Sequence, residues 1–126
     1  MEKSEKVKRV VFSEEATSQF NELNKIAGQE ISNNIKKSIH LQLIKDIDRI
    51  VKLLKENPAF GQNIKKKLIP KILVQKHAID NLHRVELVGF WRLLYTIRGT
   101  ELEIISFVLE ICDHKRYNKL FGYRKK

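Results

Sequence analysis

The stretch Leu82-His83-Arg84-Val85-Glu86-Leu87-Val88-Gly89-Phe90-Trp91-Arg92-Leu93-Leu94-Tyr95-Thr96-Ile97 decides the fold. It is rich in β-branched, aromatic and aliphatic residues, holds a single glycine and no proline, and lacks the three-and-four spacing of a helix. It predicts two strands, about Leu82–Leu87 and Trp91–Ile97, turning at Gly89. The turn Arg98-Gly99-Thr100-Glu101 then leads into a further strand, about Leu102–Ile111, completing an antiparallel meander. Alternation along the middle strand puts Trp91, Leu93, Tyr95 and Ile97 on one face and Arg92, Leu94, Thr96 and Arg98 on the other. The first set makes the better core. Arg92 and Arg98 then stand on a partly open face, with Arg84 beside them from the neighbouring strand. A guanidinium cluster there suits phosphate oxygens, because each planar fork donates two parallel hydrogen bonds. Glu86 and Glu103 are the competing possibility, as cross-strand partners of these arginines.

Upstream, the pattern is helical. Val7 to Phe12 reads as a first strand, and Ser13 as the N-cap of a helix carrying Glu14 and Glu15 in its first turn. Ala16, Phe20, Leu23 and Ala27 share one face of that helix, and Gly28 is the expected stop. From about Ser32 to Asn57, Ile35, Ile39, Leu43, Ile47, Ile50 and Leu54 recur at three or four residues, predicting a second helix that ends before Pro58. Leu68 to Val74 predicts an irregular strand, with Pro70 pushing it to an edge or a bulge. Asp113 caps a short last helix, His114 to Phe121. The order β-α-α-(β)-β-β-β-α predicts an α+β fold: an N-terminal strand and helical hairpin packed on a mainly antiparallel sheet, with a short C-terminal helix.

The 126 residues suit a single domain spanning 1–126, and 42% hydrophobic residues suffice for a core without metal or disulfide staples. Cys112 is the one cysteine, and reads as a small core residue at a strand end. No apolar run approaches a membrane span, and the charged start Met1 to Lys6 lacks a signal-peptide core, so a soluble protein of the cytoplasm is expected. The four histidines, His40, His77, His83 and His114, have no zinc-ligand spacing, and phosphate-loop, dinucleotide and serine-hydrolase motifs are missing. No cofactor is expected.

Charge is the main functional clue. The net charge is +10, of which residues 1–57 contribute +2 and residues 58–126 contribute +8. Lys65, Lys66, Lys67, Lys71 and Lys76 lie in an acid-free run, and His114 to Lys126 holds six more Lys and Arg without an acid. Runs of this kind suit a polyanion or an acidic partner, and equally an ordinary solvated surface. Asp113-His114-Lys115-Arg116-Tyr117 crowds an imidazole, cations and a phenol together, a set able to move protons on a phosphodiester.

Three segments carry a resemblance: Leu82-His83-Arg84-Val85-Glu86-Leu87, Gly89-Phe90-Trp91-Arg92-Leu93-Leu94-Tyr95, and Ile111-Cys112-Asp113-His114-Lys115-Arg116-Tyr117. Together with the element order they resemble the RelE/ParE toxin superfamily, most of all its RelE-like branch. The resemblance implies the toxin of a type II toxin-antitoxin system, a ribosome-dependent mRNA endoribonuclease working without metal. In that reaction the ribose 2′-hydroxyl attacks the adjacent phosphate, leaving a 2′,3′-cyclic phosphate. It places the transition-state arginine at Arg92, with His114 and Lys115 as acid or phosphate clamp and Tyr117 or Tyr123 as phenol partners. Arg84 matches a basic strand position expected to hold the RNA backbone, and with Arg98, Lys65, Lys66, Lys67, Lys71 and Arg116 from the basic face and runs it makes the expected RNA-binding set. Departures from the family pattern are specific: Glu86 replaces a second basic residue, Phe121 falls where a late tyrosine is expected, and one extra residue separates Gly89 from Arg92. The alternatives are a non-catalytic ParE-like gyrase inhibitor and a degenerate RNA- or antitoxin-binding module. The implied partners are mRNA on the ribosome and a cognate acidic antitoxin, with the chain a monomer or part of a toxin-antitoxin hetero-oligomer.

Overall fold

A computed structural model of the chain describes residues 6–122. Its order is β1 (Val7–Phe12), α1 (Glu14–Ser32), α2 (Ile39–Glu56), β2 (Gln62–Asn63), α3 (Lys71–His77), β3 (His83–Glu86), β4 (Arg92–Gly99), β5 (Glu103–Cys112) and α4 (His114–Phe121). The strands form one sheet in the order β1-β5-β4-β3-β2. Every pairing is antiparallel except β1 with β5, which is parallel. The α+β architecture and the meander are as the sequence predicts.

Two serine caps tie the helical hairpin together. Ser13 Oγ accepts from Ala16 N at 3.0 Å and donates to the Leu109 carbonyl at 2.7 Å, so the start of α1 is fixed to β5. Ser38 Oγ accepts from Leu41 N at 2.9 Å and donates to Glu30 at 2.7 Å, fixing the start of α2 to the end of α1. The expected helix boundaries shift here. α1 runs through Gly28 to Ser32, and Asn34 takes the left-handed conformation (φ 59°) that ends it. A mid-helix glycine costs only about 1 kcal/mol. Ala27 is buried one residue before it and helps hold the helix on course. α2 accordingly begins at Ile39, and Ile35 lies exposed in the connection.

Leu43, Ile47, Ile50 and Leu54 of α2 are fully buried against Leu93, Tyr95, Val108 and Ile111 of the sheet. Each contributes about 1.5–3 kcal/mol of apolar burial. Trp91 and Ile97 pack on this same core, as the alternation predicts.

The opposite sheet face differs from expectation. Leu68 to Val74 is no strand: a tight turn at Lys66–Leu68 leads into α3, with Pro70 just before its first residue. Proline suits a helix start because the missing N–H has no partner to lose there. The extra strand is instead Gln62–Asn63, paired with β3. α3 and α4 then cover the face expected to be open, and Leu73, Leu82, Leu94, Leu109 and Tyr117 form a second buried cluster there. A bulge in β5 lets both cores fill. Leu94 pairs with Glu110 and Tyr95 with Val108, leaving Leu109 unpaired, so Val108 and Ile111 both reach the first core while Leu109 and Cys112 reach the second.

Candidate functional site

The site gathers where β3, the start of β4 and the junction of β5 with α4 meet. Sheet register sets it, because Glu86 pairs with Arg92 and Arg92 pairs with Cys112, bringing the β3–β4 turn beside the α4 N-terminus. Asp113 caps α4 by accepting from Arg116 N at 2.8 Å, which fixes His114 as its first residue.

Arg92 is the centre. Its Nη1 donates to the Phe90 carbonyl at 2.6 Å and to His114 Nδ1 at 3.0 Å, and its guanidinium lies 4.7 Å from the Tyr117 ring centroid. Arginine only donates, so the contact uses the His114 Nδ1 lone pair and leaves the imidazole proton on Nε2. Asn118 Nδ2 sits 3.1 Å from that second nitrogen, and a half-turn of the amide would bring the carboxamide oxygen there to accept the Nε2 proton.

Arg84 is the second cation. It donates to the Tyr117 hydroxyl at 2.6 Å and to Gln62 Oε1 at 2.5 Å. Glu86 lies between the arginines with one carboxylate oxygen toward each, 3.4 Å from Arg84 Nε and 3.2 Å from Arg92 Nε. These are ion-pair contacts without hydrogen-bond alignment, since both buried Nε–H groups have no hydrogen-bonded partner among the described residues. The side chains of Arg84 and Arg92 are 24% and 12% exposed, against 57% for Glu86, so the anion closes the pair from the solvent side.

Arg84, Arg92, His114 and Tyr117 therefore come together. Tyr117 is 3% exposed and stacks on Phe121, with centroids 4.4 Å apart, which makes it a wall and an acceptor for Arg84. Lys115 lines a hollow of about 450 Å³ with Gly89, Phe90, Asp113 and His114. Lys65 lines a cleft of about 290 Å³ that includes Gln62, Arg84 and Tyr117, with Lys66 and Lys67 exposed beside it and Lys71 exposed at the start of α3.

Two expected members lie elsewhere. Arg98 is six residues along β4 from Arg92, about 20 Å away at strand rise; it donates to the His77 carbonyl and covers the Phe107 ring. Arg116 makes two 3.0 Å hydrogen bonds to Glu110, whose carboxylate raises the arginine's pKa further, and lines a separate cleft of about 460 Å³ with Trp91 and His40. Glu103 pairs with Arg9 at 2.9 Å and not with Arg98. Tyr123 lies outside the described residues. Cys112 is buried behind Arg92, and burial pushes its thiol up to about 12, which disfavours the thiolate a nucleophile needs. Among the described residues no three His, Cys, Asp or Glu side chains converge as metal ligands. No helix among them is long and apolar enough to cross a membrane.

Sequence reasoning missed Gln62, Asn118 and the Phe90 carbonyl as partners. Only the Asn118 pairing, four residues after His114 on one helix, had a local signal.

No protein-family model matches the sequence, and no curated protein does. Among solved structures the fold is similar to that of a YoeB/ParE toxin from Agrobacterium tumefaciens, with a TM-score of 0.55 over 84% of this chain and 98% of that chain. The two sequences are 10% identical, so the likeness is one of backbone architecture. The strand, helical hairpin, meander and short terminal helix of this chain make a fold similar to that of this YoeB/ParE toxin.

Proposed function

We propose that the protein is the toxin of a toxin-antitoxin pair and cleaves mRNA on the ribosome. The observation that carries this reading is the Arg84–Arg92–His114–Tyr117 cluster on a solvent-facing edge of that fold. A scissile phosphate takes the place of the Glu86 carboxylate between the arginines. The 2′-oxygen bonds to phosphorus as the bond to the 5′-oxygen breaks, and Arg92 stabilises the extra negative charge of the phosphorane. As the phosphate draws Arg92 Nη1 away from it, His114 Nδ1 is released to take the 2′-hydroxyl proton, and Lys115 at the rim gives a proton to the departing 5′-oxygen. Primer extension on translating ribosomes tests this. Breaks should appear within codons at the A site, and Arg92→Ala should reduce them by about 10²–10³. Wild-type protein that leaves every message intact would remove the reading.

Glu86 favours a second reading, because it neutralises the arginine pair and Phe121 occupies the wall beside Tyr117. In that case the chain acts by binding alone, as a ParE-like inhibitor of gyrase, and supercoiling stops without RNA breaks. In both readings the neutralising partner is an acidic antitoxin segment that orders on the basic half, and its affinity falls steeply with added salt.

A further inference from the structure

Phe90 is exposed where exposure has a cost. Its side chain is part of a residue 72% accessible to solvent, although the ring is large and apolar. It also holds φ at 65°, a left-handed conformation that disfavours side chains, directly after Gly89 at φ 70°. The turn is held from several sides: Asp46 of α2 accepts from Val88 N at 2.9 Å, Leu87 N donates to the Trp91 carbonyl at 2.8 Å, and Arg92 binds the Phe90 carbonyl at 2.6 Å. Strain kept in place this firmly at a site points to a use for the presented group. The surroundings say which use. The ring stands 6.2 Å from His114, shares a hollow with Lys115, and is joined through its own carbonyl to Arg92.

We infer that Phe90 is a stacking platform for one nucleobase, the base next to the phosphate held by Arg92, and so sets the position of the strand. An aromatic face flanked by cations that track a phosphate backbone is the arrangement that binds single-stranded nucleic acid. The inference rests on the proposed RNA substrate. It adds a residue acting on the base, whereas the cluster acts on the phosphate.

The test uses a fluorescein-labelled single-stranded RNA with 2′-O-methyl nucleotides throughout, which can bind and cannot be cut because the attacking hydroxyl is blocked, read by fluorescence anisotropy. Phe90→Gly and Phe90→Ala should weaken binding about 10- to 100-fold, the effect of one lost base stack. Phe90→Trp should retain it. Glycine tolerates the positive φ, so Phe90→Gly should melt no lower than wild type, which separates a lost stack from a damaged fold. An abasic nucleotide is then placed at successive positions. Wild type should lose affinity by the same factor at one position, and Phe90→Gly should be insensitive there. Binding of inorganic phosphate should be the same in both proteins. If Phe90→Gly binds the oligonucleotide like wild type, or loses phosphate affinity in equal measure, the stacking role is overturned while the RNA reading stands. If wild type binds no oligonucleotide, the stacking role is overturned, and primer extension on translating ribosomes decides the RNA reading separately.

Discussion

Replacing Glu86 by glutamine should loosen the fold and tighten anion binding at the same time. The carboxylate lies 3.4 Å from Arg84 Nε and 3.2 Å from Arg92 Nε. Charge centres about 4 Å apart interact by about 4 kcal/mol at an effective dielectric of 20. Glu86 is 57% exposed, so solvent screening leaves about 1 kcal/mol for each pair. The glutamine variant keeps the shape and loses both attractions, leaving two guanidinium groups side by side. Folding stability should drop by about 1–2 kcal/mol, a fall in Tm of about 4–8 °C for a domain of this size. A phosphate no longer has to displace a resident anion, so its affinity should rise about 10-fold or more, each tenfold being 1.4 kcal/mol. Isothermal titration with inorganic phosphate at fixed ionic strength measures the second effect and thermal melting the first. Saturating phosphate should also recover much of the lost Tm in the variant. Opposite signs are the signature. A variant that binds phosphate no tighter than wild type, or that melts higher without it, would refute the account of Glu86 as a built-in competitor.

Other consequences follow from the buried groups. The Tyr95 hydroxyl donates to the Pro58 carbonyl at 2.6 Å and accepts from Gly61 N at 2.9 Å, so Tyr95→Phe leaves both backbone groups short of a partner and should cost about 2–3 kcal/mol in urea unfolding. Gly61→Ala should be similarly harmful, because a Cβ there would stand 2.7 Å from the Tyr95 ring. Burial lowers the pKa of His83 and of His77 below the ordinary 6.5, so the unfolded chain takes up those protons first. Their contribution is complete above about pH 6.5 and is lost as pH falls through the lower folded values. His83→Phe, which keeps the ring stacked on Tyr95, should flatten that part of a stability-versus-pH curve, leaving the smaller slope due to His77. The Cys112 thiol, pushed up to about 12 and buried, should resist iodoacetamide at pH 8 in the folded protein and react at the ordinary thiol rate in denaturant.

Much of this molecule is determined by the sequence alone, wherever a residue acts on its near neighbours. Ser13 and Asp113 cap the helices they precede, because a side-chain oxygen reaches the amide three residues on whatever the rest of the fold does. The four-three-four spacing of Leu43, Ile47, Ile50 and Leu54 buries one helix face, and alternation along β4 sends Leu93 and Tyr95 to it. Arg92 and His114 were recognisable by type and by motif. What only the tertiary structure decided is which groups separated along the chain find each other. α1 passes Gly28 and stops at Ser32, a boundary no local propensity near Gly28 dictates. The turn at Lys66–Leu68 and α3 close over a sheet face that alternation alone leaves open, and the bulge at Leu109 re-aims the end of β5. Charged partners are decided by the same long-range geometry. Arg84 reaches Tyr117 across 33 residues, Arg98 is taken by the His77 carbonyl and Arg116 by Glu110, while Glu86 is shared by Arg84 and Arg92. Local sequence specifies which groups can pair. Sheet register and packing specify which of them meet, because an ion pair or hydrogen bond falls off within a few ångströms and depends on positions that the whole fold sets.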